Sequence, residues 1–226
     1  MAGLIRVGLV DGDADIRAGR RMIFEAQEDM QIVFEDDDAI SLLSRAPQAL
    51  IDVLVVDHRL KNMDGVAAVT ALTMAYADAE AERPVVILTG PYFSRELQLA
   101  SIAAGATDLV TQEDGPIELL KAVRSSRAKG QNPNFAELGQ FLASFDELPA
   151  APIGFALNIA NLDQQTELVF SDFMAGQDDM QIAERLGIPA YRVRKTLADL
   201  VNKCGFATRA QLFLAMVSRQ RSFESN

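Results

Sequence analysis

Tryptophan is absent from this chain of 226 residues, and cysteine and histidine occur once each, as Cys204 and His58. A single cysteine excludes a disulfide within the chain and fits a reducing compartment. One cysteine and one histidine argue against a zinc site. Any metal would be held by oxygen ligands, which favours Mg²⁺ or a similar hard cation. No apolar run approaches the roughly 20 residues that cross a bilayer. The N-terminus turns acidic too soon for a signal peptide, so a cytoplasmic protein without a membrane partner is expected. Positive charge is also scarce, with 21 Lys and Arg against 32 Asp and Glu and a net charge of −11. Taken whole, that balance argues against a nucleic-acid binder. Its distribution does not. Residues 1–130 carry 13 bases and 21 acids, residues 131–160 three acids and no base, and residues 161–226 eight of each. The acid belongs to the front of the chain, which points to two parts with separate jobs.

The front half alternates between two patterns. Short Val/Ile/Leu-rich runs occur at 4–10 (LIRVGLV), 30–35 (MQIVFE), 52–56 (DVLVV), 84–89 (PVVILT) and 107–111 (TDLVT). They have the length and unbroken apolarity of buried parallel strands. Stretches of helical period lie between them, at 16–27, 65–81, 94–105 and 116–128. Five β-α units predict an α/β fold, a doubly wound parallel sheet that gathers ligands at the carboxyl ends of its strands. Polar residues stand at three such ends: Asp11 and Asp13 after the first run, Asp57 after the third and Thr89 at the end of the fourth. Asp11, Asp13 and Asp57 together suggest a shared cation site, whereas Asp15 alone reads as a helix cap or turn residue. "DGDAD" also resembles the first motif of aspartyl phosphatases of the haloacid dehalogenase type, with Asp11 as nucleophile. The acidic run Glu35–Asp38 reads as a solvated loop, and His58 as a side chain on the opposite side of the strand end from Asp57.

Residues 131–160 carry Pro, Gly and Ala and read as a connector with one amphipathic helix in FAELGQFLASF. From Leu162 onward the pattern is helical, with segments at 163–175, 179–186, 190–203 and 208–220. The second and third are joined by "GIPA", the short glycine-containing turn of a helix-turn-helix. In the third, Val193, Leu197, Leu200 and Cys204 recur at helical spacing as a buried face. Three bases, Arg192, Arg194 and Lys195, fall on or beside the opposite face.

Ordered motifs, "VGLVDGD", "RAGRRMIFE", "LVVDHRLKNMDG", "VILTG", "AAGATDLV" and "IAERLGI…RVRKTL…KCG", carry a family resemblance. Residues 1–130 resemble the CheY-like (flavodoxin-like) receiver domain of bacterial response regulators. With the all-α segment 161–226, the chain is similar to the NarL/FixJ family, which has a LuxR-type helix-turn-helix. The resemblance implies a transcription factor that is not an enzyme and binds double-stranded DNA as a homodimer, with a sensor histidine kinase as partner. It makes Asp57 the phosphoacceptor and Thr89 the hydroxyl that turns toward the phosphate. It implies Mg²⁺ held by the acids after strand one, by Asp57 and by the carbonyl of Arg59. It places Arg194 and Lys195 at base edges, with Arg192, Lys203 and Arg209 at phosphates.

Several positions depart from the family pattern. Gly12 stands where a second acid belongs, with Asp13 one place later. Gln112 stands where a lysine pairs with the phosphoryl group, and Leu109 where an aromatic switch residue turns. Met180 replaces a usual base, and Asp178–Asp179 replace Ser-Asn. The expected protein is therefore a DNA-binding response regulator, with a receiver either phosphorylated on Asp57 or atypical and phosphorylation-independent. The alternatives are an interaction module without specific DNA binding and the phosphatase.

Overall fold

The computed structural model describes residues 3–78, 83–129, 134–145 and 162–224. The chain divides into two units, Met1–Asn132 and Pro133–Asn226. In the first, β1 (Ile5–Val10), β2 (Met30–Asp36), β3 (Val53–Asp57), β4 (Val85–Gly90) and β5 (Asp108–Thr111) pair in parallel in the order β2-β1-β3-β4-β5. Helices α1 (Ala14–Glu25), α2 (Ala39–Arg45), α3 (Gly65–Asp78) and α4 (Arg95–Ala104) connect the strands, and α5 (Gly115–Lys129) follows β5. This is the expected doubly wound α/β sheet. Helix α2 was not among the expected helical stretches.

Every residue of β3 and β4 is buried. Successive strand side chains point to opposite faces, so a sheet covered on both sides needs apolar residues at each position. Val53, Val55 and Ile87 join Phe24 of α1 and Leu119 and Val123 of α5 in one core. Leu54, Val56, Val86 and Leu88 join Leu42 of α2, Leu72 of α3 and Ala104 of α4 in the other. The same parity directs the polar residues at the strand ends. Asp11 lies two beyond Leu9, Asp57 two beyond Val55 and Thr89 two beyond Ile87, and all three of those apolar residues belong to the core under α1 and α5. Val10 pairs with Val56 and Asp57 with Thr89, which brings the three ends level.

Among the described residues, the elements of the second unit are all helices: α6 (Phe135–Ala143), α7 (Gln164–Met174), α8 (Asp179–Leu186), α9 (Ala190–Lys203) and α10 (Arg209–Glu224). The helix expected inside the connector is α6, and it is no spacer. It buries Phe135, Leu138 and Leu142. The Phe135 ring lies 4.6 Å from that of Phe173 and 5.3 Å from that of Phe213. Ring pairs at such spacing add to the area they bury, so α6 belongs to the core of this unit. Residues 146–160 of the expected connector lie outside the described residues. Among those described, no helix is long and apolar enough to cross a membrane.

Candidate functional site

Asp11, Asp57 and Thr89 converge at the carboxyl edge of the sheet, and none is more than 2% exposed. The backbone N–H of Arg59 donates to Asp57 Oδ1 at 2.9 Å, and the Thr89 hydroxyl donates to Asp57 Oδ2 at 3.3 Å. Asp11 Oδ1 accepts the N–H of Asp13 at 2.9 Å. Gly65, first residue of α3, closes the loop after β3. A Cβ there would lie 2.4 Å from the Asp57 carbonyl oxygen, so only glycine fits.

A fourth residue completes the pocket, and the sequence reading missed it. Arg20 of α1 is buried, and its Nη1 donates to Asp11 Oδ2 at 2.5 Å and lies 3.5 Å from Asp57 Oδ2. The two carboxylates thus share one guanidinium. Burial pushes the Asp11 carboxyl above the ordinary carboxylate value. The Asp13 N–H and Arg20 pull it back, and the neighbouring charge of Asp57 adds to the push. A signal for Arg20 is present in the sequence. The buried positions of α1 are Arg20 and Phe24, one helical turn apart. A base therefore sits in the inward stripe, where an apolar residue belongs.

The other expected site residues are distributed differently. Asp13 is the N-cap of α1, its Oδ1 accepting the N–H groups of Asp15 at 2.9 Å and Ile16 at 3.1 Å. The cap is therefore Asp13 and not Asp15, which lies in the first turn. Asp13 is exposed, and its carboxylate is engaged by the helix end, outside the buried pocket. At Gly12, a Cβ would stand 3.0 Å from the Arg59 carbonyl oxygen, so the two positions are adjacent. Leu109 is half-buried against the core under α3 and α4. Gln112 anchors the end of β5 by donating its N–H to the Gly90 carbonyl at 2.9 Å, with its side chain exposed. His58 does not lie on the opposite side from Asp57, since its Nδ1 is 3.5 Å from Asp57 Oδ1. Its ring packs edge-on to Phe93 at 6.0 Å, and its Nδ1 is buried with no hydrogen-bond partner among the described residues.

An acidic cluster is present at Asp36, Asp37 and Asp38, with one carboxylate oxygen of each within 4.8 Å of the others. It is not the solvated loop expected. Asp36 ends β2, and all three residues are half-buried. Asp36 accepts from Ser41 and from Arg45, the latter at 2.5 Å. Lys61 bonds Asp37 at 2.5 Å and holds its carboxyl below the usual range. Asp38 caps α2 through the Ser41 N–H at 2.9 Å.

In the second unit, α8 and α9 form the helix-turn-helix. Asp178 and Gln181 make a reciprocal capping box at the start of α8. Gly187 ends α8 at φ 63°, a left-handed conformation that glycine adopts without strain. Val193, Leu197 and Leu200 of α9 are buried, as is Cys204. Arg192, Arg194, Lys195 and Lys203 are exposed. Lys195 carries a partner on its own helix, Asp199, at 3.2 Å. Arg209, expected at a phosphate, is turned inward. It pairs with Asp179 at 2.7 Å, donates to the Arg194 carbonyl at 3.3 Å, and has a side chain only 12% exposed. Asp179 is thereby neutralised within the protein.

The family model for the response regulator receiver domain matches residues 7–124, and the chain belongs to that family. It is similar to the nitrate/nitrite response regulator protein NarP of Escherichia coli, 27% identical over 204 residues and 90% of each chain. It is also similar to the DNA-binding transcriptional activator DevR/DosR of Mycobacterium tuberculosis, 25% identical over 227 residues and 97% of each chain. Among solved structures, the RcsB response regulator of Salmonella typhimurium superposes with a TM-score of 0.51 at 17% identity. The match covers 96% of this chain and 100% of that one. A LuxR-family two-component response regulator from an Aurantimonas species gives a TM-score of 0.52 at 24% identity, over 62% of this chain and 96% of its own. The match to RcsB, over 96% of this chain, supports the fold of both units.

Proposed function

We propose that this protein is a transcription regulator that binds double-stranded DNA through α9 as a homodimer, with a receiver that works independently of phosphorylation. The observation that carries the DNA reading is the helix-turn-helix, whose second helix exposes Arg192, Arg194, Lys195 and Lys203 opposite a buried apolar face. Such a helix suits the major groove, with Arg194 and Lys195 toward base edges and Arg192 and Lys203 toward phosphates. The names of NarP and DevR/DosR, a response regulator and a DNA-binding activator, support it. With Arg209 committed to Asp179 and Lys195 to Asp199, one copy offers few free bases. Paired half-sites would make up the affinity, which favours a dimer.

The receiver reading rests on the strand-end pocket. Asp57 and Thr89 occupy the acceptor and hydroxyl positions. The groups around them do not suit phosphorylation-driven switching, because Gln112 supplies no charge for the phosphate and Leu109 no ring to turn. Nor does the donor set fit the Mg²⁺ that the resemblance implies. The pocket offers the Asp11 and Asp57 carboxylates and the Arg59 carbonyl. Gly12 has no side chain, Asp13 caps a helix, and a guanidinium already holds Asp11. Mg²⁺ keeps several waters among its about six oxygen ligands, so the obstacle is the guanidinium on Asp11 and not the number of protein donors. A sensor histidine kinase is then dispensable, and the surface of the receiver serves in assembly.

Binding of the purified chain to genomic fragments, at low salt and without acetyl phosphate, tests this. Selective retention of particular fragments, weakened by Arg194→Ala, is the expected result. Retention that requires acetyl phosphate and Asp57 would assign the receiver to the phosphorylated class. No selective fragment under either condition would leave the interaction-module alternative.

A further inference from the structure

The receiver pocket contains two buried carboxylates and one buried guanidinium within 3.5 Å of both. We propose that Arg20 is the resident cation of this pocket, standing where a divalent metal ion would stand and offsetting part of the charge of Asp11 and Asp57 from within the protein. The inference deepens the reading of an atypical receiver and rests on it.

Charge balance shows that a divalent ion fits this pocket best when Arg20 is absent. Two carboxylates and one guanidinium leave the pocket at one net negative charge. Adding a divalent cation would leave one net positive charge in a site whose carboxylates are almost fully buried. Without Arg20, the same two carboxylates and a divalent cation would balance. Buried charge is costly unless paired and hydrogen-bonded, so the guanidinium and the metal are competitors. Geometry agrees, because an ion on Asp11 Oδ2 would sit against the guanidinium that bonds the same oxygen at 2.5 Å, and the two cations would repel.

The local sequence fits this exchange. Gly12 removes one acid from the loop that borders the Arg59 carbonyl, and Asp13 is spent on the N-terminus of α1. One carboxylate fewer leaves less negative charge for a monovalent guanidinium to offset. The fixed donors also fit a resting anion at Asp57. Its Oδ1 takes the Arg59 N–H, while its Oδ2 takes the Thr89 hydroxyl and faces Arg20.

The test uses the full chain as wild type, Arg20→Met, Arg20→Lys and Asp57→Asn. Thermal melting is compared in chelator and in millimolar Mg²⁺. The wild-type receiver transition is expected at the same temperature in both. Arg20→Met is expected to melt lower in chelator and to recover with Mg²⁺, and Arg20→Lys to remain indifferent to the metal. A wild-type transition that Mg²⁺ raises, with the rise lost in Asp57→Asn, overturns the proposal. The Asp57→Asn comparison separates this pocket from the Asp36–Asp38 cluster. If Arg20→Met does not fold, calorimetric titration of the wild type with Mg²⁺ decides alone. Heat of binding that disappears in Asp57→Asn overturns the proposal, and its absence upholds it. Fragment binding, measured on the same wild-type preparation, fails independently if the DNA reading is the one in error.

Discussion

Arginine does opposite work in the two halves of this protein. In the receiver, Arg20 is buried and holds two buried carboxylates. On α9, Arg192 and Arg194 are exposed, and the acid nearby on that helix, Asp199, pairs with Lys195. A buried charge is tied to its partners because release leaves uncompensated charge in a poorly solvated place. An exposed charge costs little to keep unpaired and is free to meet a phosphate or a base. A net charge of −11 therefore says little about DNA binding. What matters is which bases are already spent inside the protein, and Arg209 shows how a base counted toward binding can be spent on Asp179.

The largest effect should come from breaking the buried side. Arg20→Met, without metal, should destabilise the receiver by about 3–5 kcal/mol, the range for removing one partner of a buried ion pair. Urea unfolding followed by circular dichroism would register it, and a cost near that of an exposed pair would erase the contrast. On the exposed side, Arg194→Ala should cost about 1–3 kcal/mol of specific DNA affinity and leave folding unchanged. Arg192→Ala should instead lower the slope of log affinity against log salt by about one. Fluorescence anisotropy with labelled operator DNA at several salt concentrations separates the two.

A finer measurement concerns Asp11. Its carboxyl is raised by burial, with Arg20 opposing the rise. Carbon-detected NMR should therefore show it titrating above the ordinary aspartate value, and higher still in Arg20→Met. The raised folded value means that the native state binds this proton more tightly than the unfolded chain does. Asp11's titration thus favours folding below the unfolded pKa, and that contribution is lost as pH rises through the folded value. The smallest effect is assigned to the exposed pair on α9. Asp199→Ala should change stability by less than about 0.5 kcal/mol while tightening DNA binding, because it frees Lys195 and removes an acid from the binding face.

Much of the fold was legible because burial on both sheet faces writes itself as unbroken Val/Ile/Leu runs, and amphipathic helices write a period. The helix-turn-helix was legible for the same reason, its turn marked by Gly187. Helix α2 was not, since seven residues with only Ala39 and Leu42 buried are too few to show a period. Asp13 and Asp15 are chemically equal candidates for a cap. The choice between them depends on the residue at which the chain leaves its strand direction. Arg20 was hidden in plain view, because a base in an amphipathic stretch is ordinarily taken to face water.

The sequence by itself determined the two-part organisation, the parallel sheet, the strand ends where Asp11, Asp57 and Thr89 stand, and the helix with exposed bases. These follow from local patterns of apolar and polar residues, which are properties of neighbours along the chain. Tertiary structure alone decided that Arg20 reaches across from α1 to both carboxylates, that Arg209 turns inward to Asp179, and that α6 joins a core with Phe173 and Phe213. Those outcomes depend on how a charge or a ring finds a partner far away in sequence. The drive to neutralise buried charge and fill buried volume operates between elements and leaves no periodic trace along any one of them.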